Sequence, residues 1–413
     1  MAAYAPRTGP DAAEAAAADG FDNFDYRIAG DVRDPYPELA EQRRTEPVRE
    51  IANPFGDEMP PTFLVYRYED VCRVLQDYTT FSSSILTETM GPSMGYKIIL
   101  GLDEPDHHRH RSLVATAFRA KTLARWESHL VQDVVDRLID QFVARQKAEL
   151  VYEFTYPFPT QVVAGILGLP REDYRQFQQW AIAINNVNSE WDTGVAASEA
   201  LKEYLAGFLS ERRSHPQDDL ISLLATAELE GERLDDEEIF SFLRLILPAG
   251  VETTFRSSGN LLFLLLTHPD QLEALLADRS LLPQAIEEAL RLEPPLLITS
   301  RRCTEDTELS GVRIPAGASV TPVLGAANRD EERYPDPDRF DIFRDPKQHI
   351  SFGFGTHMCL GMHLARMETR VGIDTLLDRL PSLRLDPDAV ASEDPHIHGE
   401  IFRSPTSLPV LWG

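Results

Sequence analysis

The sequence is poor in cysteine and in long apolar runs, and both shortages limit the kinds of protein it can encode. Only three cysteines, Cys72, Cys303 and Cys359, occur among its 413 residues. A sparse, odd-numbered set argues against a disulfide framework and indicates a reducing compartment, which we expect to be the cytoplasm. The longest wholly aliphatic and aromatic run, 261–266, is far shorter than the about 20 residues that span a bilayer. We therefore expect no membrane anchor.

Linkers, repeats and an excess of positive charge are also missing. No glycine- and serine-rich stretch or repeat period interrupts residues 21–413, so we expect a single globular domain there, and we expect a monomer. Residues 1–20 are rich in alanine and lack the basic and apolar regions of a targeting signal, so we expect a disordered tail. A formal net charge of −27 argues against nucleic acid and anionic lipid as partners.

The periodic segments of the sequence are mostly helical. Apolar residues recur at helical spacing in three segments, 123–146, 201–209 and 272–292. The strand signals are shorter, at 62–66, 309–314 and 319–323. A long helix is predicted from about Asp235 to Thr267, because Asp235 and Glu238 have the spacing of a capping box and His268-Pro269 supplies a stop. The predicted fold is therefore mainly α with small β-sheets.

One segment combines a cysteine with closely spaced glycines: Ser351-Phe352-Gly353-Phe354-Gly355-Thr356-His357-Met358-Cys359-Leu360-Gly361. Gly353, Gly355 and Gly361 allow backbone conformations and close approaches that other residues do not, so amide N–H groups can point at the sulfur while a flat partner packs over the loop. A helix is predicted over 360–377, and its dipole is expected to lower the pKa of Cys359. Taken alone, such a cysteine is compatible with a buried structural thiol, a nucleophile or a ligand of a soft metal.

The middle of the predicted long helix is irregular. Pro248 has no N–H to donate to the preceding turn, and Gly250 has no side chain one turn before Thr254, so we expect the hydrogen-bond ladder to open there. An acid and a hydroxyl, Glu252 and Thr253, lie in the same stretch. The simpler interpretation is a proline kink in a buried helix.

A basic cluster lies in Asp103-Glu104-Pro105-Asp106-His107-His108-Arg109-His110-Arg111. His107 and Arg111 are four residues apart on a helix predicted to start after Pro105, so they share a face that can clamp an anionic group. A solvated basic face is the simpler interpretation. A zinc site using His107 and His110 has no supporting HExxH or paired-cysteine spacing.

An acid and an arginine are three residues apart in Glu288-Ala289-Leu290-Arg291, on the apolar face of a predicted helix. On an exposed helix this pair would be an ordinary weak salt bridge. A later segment, 329–346, is dense in proline and aspartate and is predicted to be an irregular loop.

These motifs occur in the order typical of one family. From about residue 100 to the C-terminus, the chain resembles the cytochrome P-450 superfamily of haem-thiolate monooxygenases, in its soluble bacterial form. The resemblance implies the cytochrome P-450 fold, in which a long central helix lies over haem b and the cysteine loop lies on the proximal side. It implies that Cys359 is the axial ligand of the haem iron. The other implied haem contacts in the two motifs are Phe352, Gly353, Gly361, Ala249 and Gly250.

The resemblance also assigns roles to polar residues. Glu252 and Thr253 match the oxygen-activation motif, in which the threonine hydroxyl holds oxygen or a water and the acid links to solvent water. The implied contacts to the haem propionates are His107, Arg111, Arg301, His349 and His357, with Arg302 competing with Arg301. Glu288 and Arg291 match the ExxR signature, which Arg339 completes. This cluster would lock the cysteine loop against the core.

By the same resemblance, the substrate is a small hydrophobic molecule such as a terpenoid, steroid, fatty acid or aromatic, and O2 is the second substrate. The expected cavity segments are 85–100, 185–188, 243–248, 296–299 and 401–402. Electrons would come from NAD(P)H through a ferredoxin reductase and a ferredoxin. Acidic ferredoxins are expected to dock on basic residues near Cys359, namely Arg109, Arg119, Lys121, Arg125, Arg366 and Arg370. The simpler interpretation is that these residues pair with carboxylates such as Glu127 or Glu368.

Two other functions are compatible with a haem-thiolate fold. One is a protein that senses or carries a ligand, and the other is an isomerase that does not activate oxygen. Either could dispense with the acid and the threonine, whereas this chain keeps Glu252 and Thr253. The sequence therefore favours a monooxygenase.

Overall fold

The computed structural model of the protein describes residues 32–52, 60–185 and 190–413. The predicted tail at 1–20 and the predicted cavity residues 186–188 lie outside these ranges, as does the side chain of Asn185. The expectations of one domain over 21–413 and of a monomer stay predictions.

Helices form most of the described chain. The α-helices are α1 (Tyr36–Thr45), α2 (Tyr68–Gln76), α3 (Ser84–Met94), α4 (Asp106–Ala115), α5 (Ala120–Trp126), α6 (Gln132–Phe142), α7 (Pro157–Ile166), α8 (Tyr174–Asn185), α9 (Trp191–Ser214), α10 (Leu220–Thr226), α11 (Asp236–Thr267), α12 (Pro269–Ala277), α13 (Leu282–Leu292), α14 (Leu324–Ala327), α15 (Met362–Arg379) and α16 (Pro387–Glu393). Short 3-10 segments cover Ile99–Gly101, Thr116–Phe118, Val143–Arg145, Arg171–Asp173, Arg279–Leu281 and Gly355–His357, and π-helical segments cover Glu127–Val131 and Val151–Thr155. The prediction of a mainly α fold is confirmed.

The strands are short and form small sheets. They are β1 (Val48–Ile51), β2 (Thr62–Val65), β3 (Phe81–Ser82), β4 (Lys147–Glu149), β5 (Glu228–Leu229), β6 (Glu232–Arg233), β7 (Arg301–Cys303), β8 (Thr307–Leu309), β9 (Val312–Ile314), β10 (Ser319–Pro322), β11 (Arg384–Leu385), β12 (Ile397–His398), β13 (Ser404–Pro405) and β14 (Pro409–Leu411). A five-stranded sheet has the order β1-β2-β10-β7-β3, in which β2 and β10 are parallel and the other neighbours antiparallel. β12 and β13 pair separately, so Ile401 and Phe402 lie in their connecting loop.

The long helix α11 begins with the predicted capping box. The Asp235 carboxylate accepts from the N–H of Glu238, and the Glu238 carboxylate accepts from the N–H of Asp235, both at 2.8 Å. The helix extends without a break across Pro248 for 32 residues, about 50 Å at about 1.5 Å per residue. As expected, Pro248 has no N–H and removes one hydrogen bond from the ladder, but burial against α7, α13 and α15 keeps the helix continuous.

Some predicted elements are subdivided in the structure. The helical segment 272–292 consists of α12, a 3-10 turn and α13. The predicted strand 309–314 is a hairpin of β8 and β9, because Ser310 and Gly311 have φ values of 47° and 82° and turn the chain. None of the helices in the described ranges combines the length and the apolar character needed to cross a lipid bilayer.

Candidate active site

A cavity of about 630 Å³ lies between α11 and the cysteine loop, residues 351–361. Cys359 lines it from the loop and Thr253 lines it from α11. Much of its wall is aliphatic or aromatic, with contributions from Leu86, Met90, Leu245, Ile246, Leu296 and Phe402. The predicted cavity segments 85–100, 243–248, 296–299 and 401–402 therefore all contribute to one cavity.

Two glycines in left-handed conformation shape the cysteine loop. Gly353 has a φ of 74° and Gly355 a φ of 73°, a region that favours glycine. A Cβ on Gly355 would lie 2.7 Å from the carbonyl oxygen of Leu75, so the loop can approach the end of α2 only with glycine there. The N–H of Cys359 donates to the carbonyl of Phe352 at 2.7 Å and closes the loop.

The junction between the cysteine loop and α15 differs from the prediction. The helix begins at Met362, two residues later than expected, and Gly361 is its N-cap. Gly361 has a φ of −84°, and a Cβ there would meet no described protein atom within 4 Å. Neither backbone strain nor protein packing explains this glycine, and the residue faces the cavity.

The pKa of Cys359 is shifted by opposing effects. Burial raises the pKa of its thiol, whereas the N–H groups of Gly361 and Met362 and the charges of Arg111 and Arg366 lower it. The net shift is upward, so the predicted lowering is wrong for the free thiol. Removing a thiolate from water costs more than these donors and cations return. A coordinated metal ion supplies further positive charge, and a coordinating thiol is deprotonated.

Two arginines, one of them buried, line the cavity without carboxylate partners among the described residues. Arg301, on β7, is 4% exposed, and its Nη1 donates to the carbonyl of Ser300 at 2.8 Å. Burial lowers the pKa of its guanidinium to about 10. Arg111, on α4, donates through Nη2 to the carbonyl of Met358 at 2.6 Å. Across the described ranges, neither guanidinium forms an ion pair, so this part of the cavity carries uncompensated positive charge.

Two histidines lie beside this cationic part of the cavity. The rings of His107 and His357 lie 3.9 Å apart between centroids, and both residues line the cavity. Nδ1 of His107 lies 3.1 Å from Oε1 of Glu104, whereas its buried Nε2 has no hydrogen-bond partner in the described part of the chain. Burial, reinforced by His107, Arg301 and Arg111, lowers the pKa of His357 to about 3. Unpaired guanidinium groups beside an open imidazole nitrogen are suited to an anionic ligand.

The structure distinguishes Arg301 from its neighbour. Arg302 pairs with Glu88 and donates to the carbonyl of Gly317 at 3.0 Å, so its side chain is already engaged by protein groups. Of the two competing candidates for an anionic ligand, only Arg301 lines the cavity.

His349 is placed differently from the prediction. Its Nε2 lies 3.2 Å from Oε2 of Glu287, and its Nδ1 accepts from the N–H of Ser351 at 3.2 Å. Both ring nitrogens are therefore engaged by protein groups. The histidine lies between α13 and the loop, outside the cavity lining, and its predicted contact with a propionate stays a prediction without support from this geometry.

The threonine of the oxygen-activation motif faces the cavity from an unbroken helix. The Thr253 hydroxyl donates to the carbonyl of Ala249 at 2.8 Å. Ala249 and Gly250 also line the cavity, and a Cβ on Gly250 would lie 3.1 Å from Cγ2 of Val163. Small residues here bring the α11 backbone close to the cavity.

Glu252 is paired to a neighbour on its own helix. The residue is 2% exposed, and Oε1 accepts from Nε of Arg256 at 2.7 Å. The carboxylate is thus buried against a guanidinium, and its expected link to solvent water stays a prediction. Sequence reasoning did not use Arg256, although its i, i+4 spacing from Glu252 was a usable signal.

The ExxR pair is buried and forms the predicted contact. Arg291 donates to Glu288 through Nε at 2.7 Å and through Nη2 at 2.9 Å. Its Nη1 donates to the carbonyls of Asn328 and Pro337 at 3.0 and 2.7 Å. The pair therefore fixes α13 to the irregular loop at 329–346.

The third member of this cluster is Arg344, and the prediction of Arg339 is wrong. The Arg339 side chain is 68% exposed, and only its carbonyl contacts the cluster, accepting from Arg291 at 3.2 Å. Nε of Arg344 instead lies 3.1 Å from Oε1 of Glu288. The turns of the loop direct Arg339 outward and Arg344 inward, which residue spacing could not show.

A second ion-pair cluster beside the first was not predicted. Glu287 accepts from Arg366 through both oxygens, at 2.6 and 2.7 Å, and also contacts His349. The Arg366 guanidinium lies 4.5 Å from the ring centroid of Phe352. This cluster joins α13, the cysteine loop and α15.

The predicted basic patch is largely neutralised. Arg109 pairs with Glu232 and Glu238, Arg125 with Asp218, Arg366 with Glu287 and Arg370 with Glu127. Arg119 and Lys121 are exposed, and neither forms an ion pair with a described residue. Glu368, the other carboxylate that the simpler interpretation named, lines the cavity, and burial raises the pKa of its carboxyl. The simpler interpretation of paired arginines therefore holds for four of the six residues.

Comparison with known proteins places this arrangement in a family. The sequence profile described as Cytochrome P450 matches residues 171–390. The chain is 37% identical over 377 residues to Cytochrome P450 107B1 of Saccharopolyspora erythraea, covering 88% of this chain and 91% of that protein. It is 37% identical over 390 residues to Vitamin D(3) 25-hydroxylase of Pseudonocardia autotrophica, covering 92% and 94%. The solved structure of cytochrome P450 PksS, of the bacillaene polyketide synthase of Bacillus subtilis 168, superposes with a TM-score of 0.85 at 32% identity, covering 92% and 97%.

The fold and the cavity therefore define an oxidoreductase that binds haem through a cysteine thiolate. The chain belongs to the cytochrome P450 family, and it is a P450 monooxygenase that acts on a small organic molecule with O2. The predictions of the P450 fold, the enzyme class and the haem cofactor are confirmed.

Proposed function

We propose that Cys359 is the axial ligand of the haem iron and that the enzyme inserts one oxygen atom from O2 into a hydrophobic small molecule. The observation that supports this most directly is one cavity shared by Cys359, Thr253, a largely apolar wall and an uncompensated cationic part. When bound, thiolate-ligated haem supplies the electron density that favours cleavage of the O–O bond.

The protein's own groups fit a haem. Arg111, Arg301, His107 and His357 would hold the two propionate carboxylates, because guanidinium groups without ion-pair partners among the described residues are stabilised by an anion and imidazole N–H groups can donate hydrogen bonds to it. Phe352, Gly353 and Gly361 would pack against the haem from the cysteine loop. Ala249 and Gly250 have little or no side chain, so they would leave room for the haem next to α11.

Thr253 is placed to control a proton near the reacting oxygen. Its hydroxyl donates to the carbonyl of Ala249, so its oxygen can accept a hydrogen bond from a water in the cavity. Glu252, the adjacent acid, also lines the cavity. We assign this pair to proton delivery during oxygen cleavage, with Thr253 as the group that holds the water.

The cavity supports a hydrophobic substrate. Aliphatic and aromatic side chains of α3, α11 and the loops at 296–299 and 401–402 would bind an apolar molecule by burying its surface. Terpenoids, steroids, fatty acids and aromatics fit this description, and one relative is named as a vitamin D(3) hydroxylase. A hydroxylation or a related oxidation of such a molecule is the proposed reaction.

Electron supply from NAD(P)H through a ferredoxin reductase and a ferredoxin is part of the same proposal. It is supported by the exposed cations Arg119 and Lys121 on the segment that follows α4, whose Arg111 contacts the cysteine loop. A cytoplasmic location is supported by the free thiols of Cys72, Cys303 and Cys359.

A haem-based sensor or a non-oxygenating isomerase is the alternative. The placement of Thr253 on the cavity wall favours the monooxygenase, because neither alternative needs a hydroxyl that manages protons beside the haem.

The test is a panel of spin-state titrations followed by isotope analysis. Camphor, testosterone and lauric acid would be added to the purified holoprotein, and any compound that gives a low-to-high-spin change would be turned over with labelled O2. We expect one labelled oxygen atom in the product. Turnover of a bound compound without label, or its isomerisation, would contradict the proposal.

A further inference from the structure

Arg256 is one of the least accessible charged residues of the described chain. It lies on α11 one turn after Glu252, and its side chain is 0% exposed. Nε and Nη2 lie 2.7 and 2.5 Å from Oε1 of Glu252, which is itself 2% exposed. Burying two opposite charges is tolerated only when they are paired, so each residue depends on the other.

The other edge of the Arg256 guanidinium faces the C-terminal hairpin. Nη1 donates to Oγ of Ser404, on β13, at 2.7 Å. The guanidinium carbon lies 5.5 Å from the ring centroid of Phe402, a residue of the cavity wall, and 4.7 Å from that of Phe255. Arg256 therefore contacts both the acid of the oxygen-activation motif and the segment that carries Phe402.

Close packing fixes this hairpin to α11. A Cβ on Gly259 would lie 3.2 Å from Cδ of Pro405, and Nδ2 of Asn260 donates to the carbonyl of Arg403 at 3.1 Å. The hydrogen bond from Arg256 to Ser404, which we call the tether, is thus one of several successive contacts along the same side of the helix. Replacing Arg256 would therefore change the contacts of Glu252 and of the hairpin that carries residues 401–402.

We propose that Arg256 is a positioning residue that keeps Glu252 an oriented carboxylate and ties it to the cavity wall at Phe402. This inference rests on the proposed role of Glu252 and Thr253 in proton delivery, and it adds a residue that touches neither substrate nor haem. Because Arg256 holds both groups, the position of the cavity wall and the ionisation of the acid depend on the same guanidinium.

The first experiment measures the ionisation of Glu252 without turnover. Infrared difference spectra of the holoprotein between neutral and mildly acidic buffer report the carbonyl stretch of any carboxyl group that becomes protonated. The wild type should show no such band from Glu252. Arg256→Met should show a new band, because a buried carboxylate that has lost its guanidinium neighbour takes up a proton more readily. The double variant with Glu252→Gln should lose that band. The absence of a new band in Arg256→Met would overturn the inference.

The second experiment measures the cavity wall. Binding of 4-phenylimidazole to the ferric holoprotein, followed by its absorbance change, should weaken by roughly two- to tenfold in Ser404→Ala, the range for loss of one hydrogen bond. Ser404→Ala should leave Glu252 ionised. Arg256→Lys keeps the charge but loses the second edge, so it should behave like Ser404→Ala. Unchanged affinity in both variants would overturn the tether.

These readouts separate the inference from the proposed function. If Arg256→Met does not fold, Arg256→Lys and Ser404→Ala still test the tether, and infrared spectra of Arg256→Gln test the ionisation. If Thr253→Ala couples normally while the Arg256 variants behave as described, the positioning inference stands and the assignment of proton delivery is wrong.

Discussion

Arg344 and Arg291 share the buried carboxylate of Glu288. Nε of Arg344 lies 3.1 Å from Oε1 of that carboxylate, and Nη2 of Arg291 lies 2.9 Å from the same atom. One arginine comes from the loop at 329–346 and the other from α13. A single carboxylate thus joins the helix to the loop that leads into the residues around Cys359.

Removing Glu288 should weaken the protein although this residue does not line the cavity. In Glu288→Ala, two buried guanidinium groups lose their partner, which costs about 3 to 5 kcal/mol for a buried pair. We expect lower haem incorporation and a lower thermal midpoint. Arg344→Met should act in the same direction, whereas Arg339→Met, which changes an exposed side chain, is the matched control. Normal haem yield and midpoint in Glu288→Ala would defeat the role of this cluster.

The same cluster shows how far the sequence could predict the site. Glu288 and Arg291 are three residues apart on one helix, so their contact follows from helical geometry. The capping box of Asp235 and Glu238 follows for the same reason. Arg344 could not be predicted, because the loop has no regular period that fixes which side chains point inward.

Tertiary contacts also explain the other differences. His349 is two residues from Ser351, but its orientation depends on Glu287 of α13, which is distant in sequence. The pairing of Arg366 with Glu287 of α13 was not predicted, whereas Glu127, which pairs with Arg370, is one of the carboxylates that the simpler interpretation named. The upward shift in the pKa of Cys359 depends on its burial by the whole fold. Such effects need the three-dimensional packing.

Cys359→Ser should remove the spectral signature of thiolate ligation. Carbon monoxide added to the reduced wild-type protein should give the red-shifted Soret band of thiolate-ligated haem, and the variant should lose it because serine does not supply the soft sulfur ligand. Cys72→Ser, which changes a thiol outside the cavity lining, should keep the band. The assignment of Cys359 is wrong if its variant retains the band unchanged.

Thr253→Ala should bind haem and substrate but divert reducing equivalents to hydrogen peroxide. The hydroxyl that holds a water in the cavity is lost, so product per NADH should fall on the order of tenfold or more. Peroxide and product yields measure this directly. Thr267→Ala is the matched control, because the Thr267 hydroxyl makes the same i−4 contact, to Phe263, at the far end of α11. Equal coupling in both variants would assign proton delivery to other groups.

Glu287 should make stability sensitive to acid. Burial raises the pKa of its carboxyl, but hydrogen bonds and charges from His349 and Arg366 outweigh burial and lower the pKa from 4.5 to about 2. Because the pKa is lower in the folded state, the carboxylate stabilises the fold above about pH 4.5, and this contribution is lost as the pH falls toward about 2.

Glu287→Gln should therefore be less stable than the wild type near neutral pH and lose less stability over that acid range. Urea unfolding followed by circular dichroism at several pH values measures both effects. Glu273→Gln changes an exposed carboxyl of α12 and should follow the wild type. If Glu287→Gln shows the same acid sensitivity as the wild type, the ion-pair cluster does not carry this dependence.

Electron delivery should depend on Arg119 and Lys121, the two residues of the predicted docking patch that are exposed and form no ion pair with a described residue. Arg119 and Lys121 lie at the start of α5, and α4, which precedes it, contacts the cysteine loop through Arg111 and Met358. On a chain with a net charge of −27, such cations are a local exception that can orient an acidic ferredoxin. Reversing them should slow reduction by roughly tenfold at low ionic strength, since steering of this kind changes association rates by at least that factor.

The measurement is the rate of reduction by ferredoxin, under carbon monoxide, as ionic strength rises. Arg119→Glu and Lys121→Glu should be slow at low salt and converge on the wild type at high salt, because screening removes the difference. Arg175→Glu, on α8, which packs against α7 and α9, is the matched control and should leave the rate unchanged. Arg366→Glu would also disturb Glu287, so it tests docking less cleanly. Rates that respond neither to salt nor to reversal at Arg119 and Lys121 would place the docking surface elsewhere.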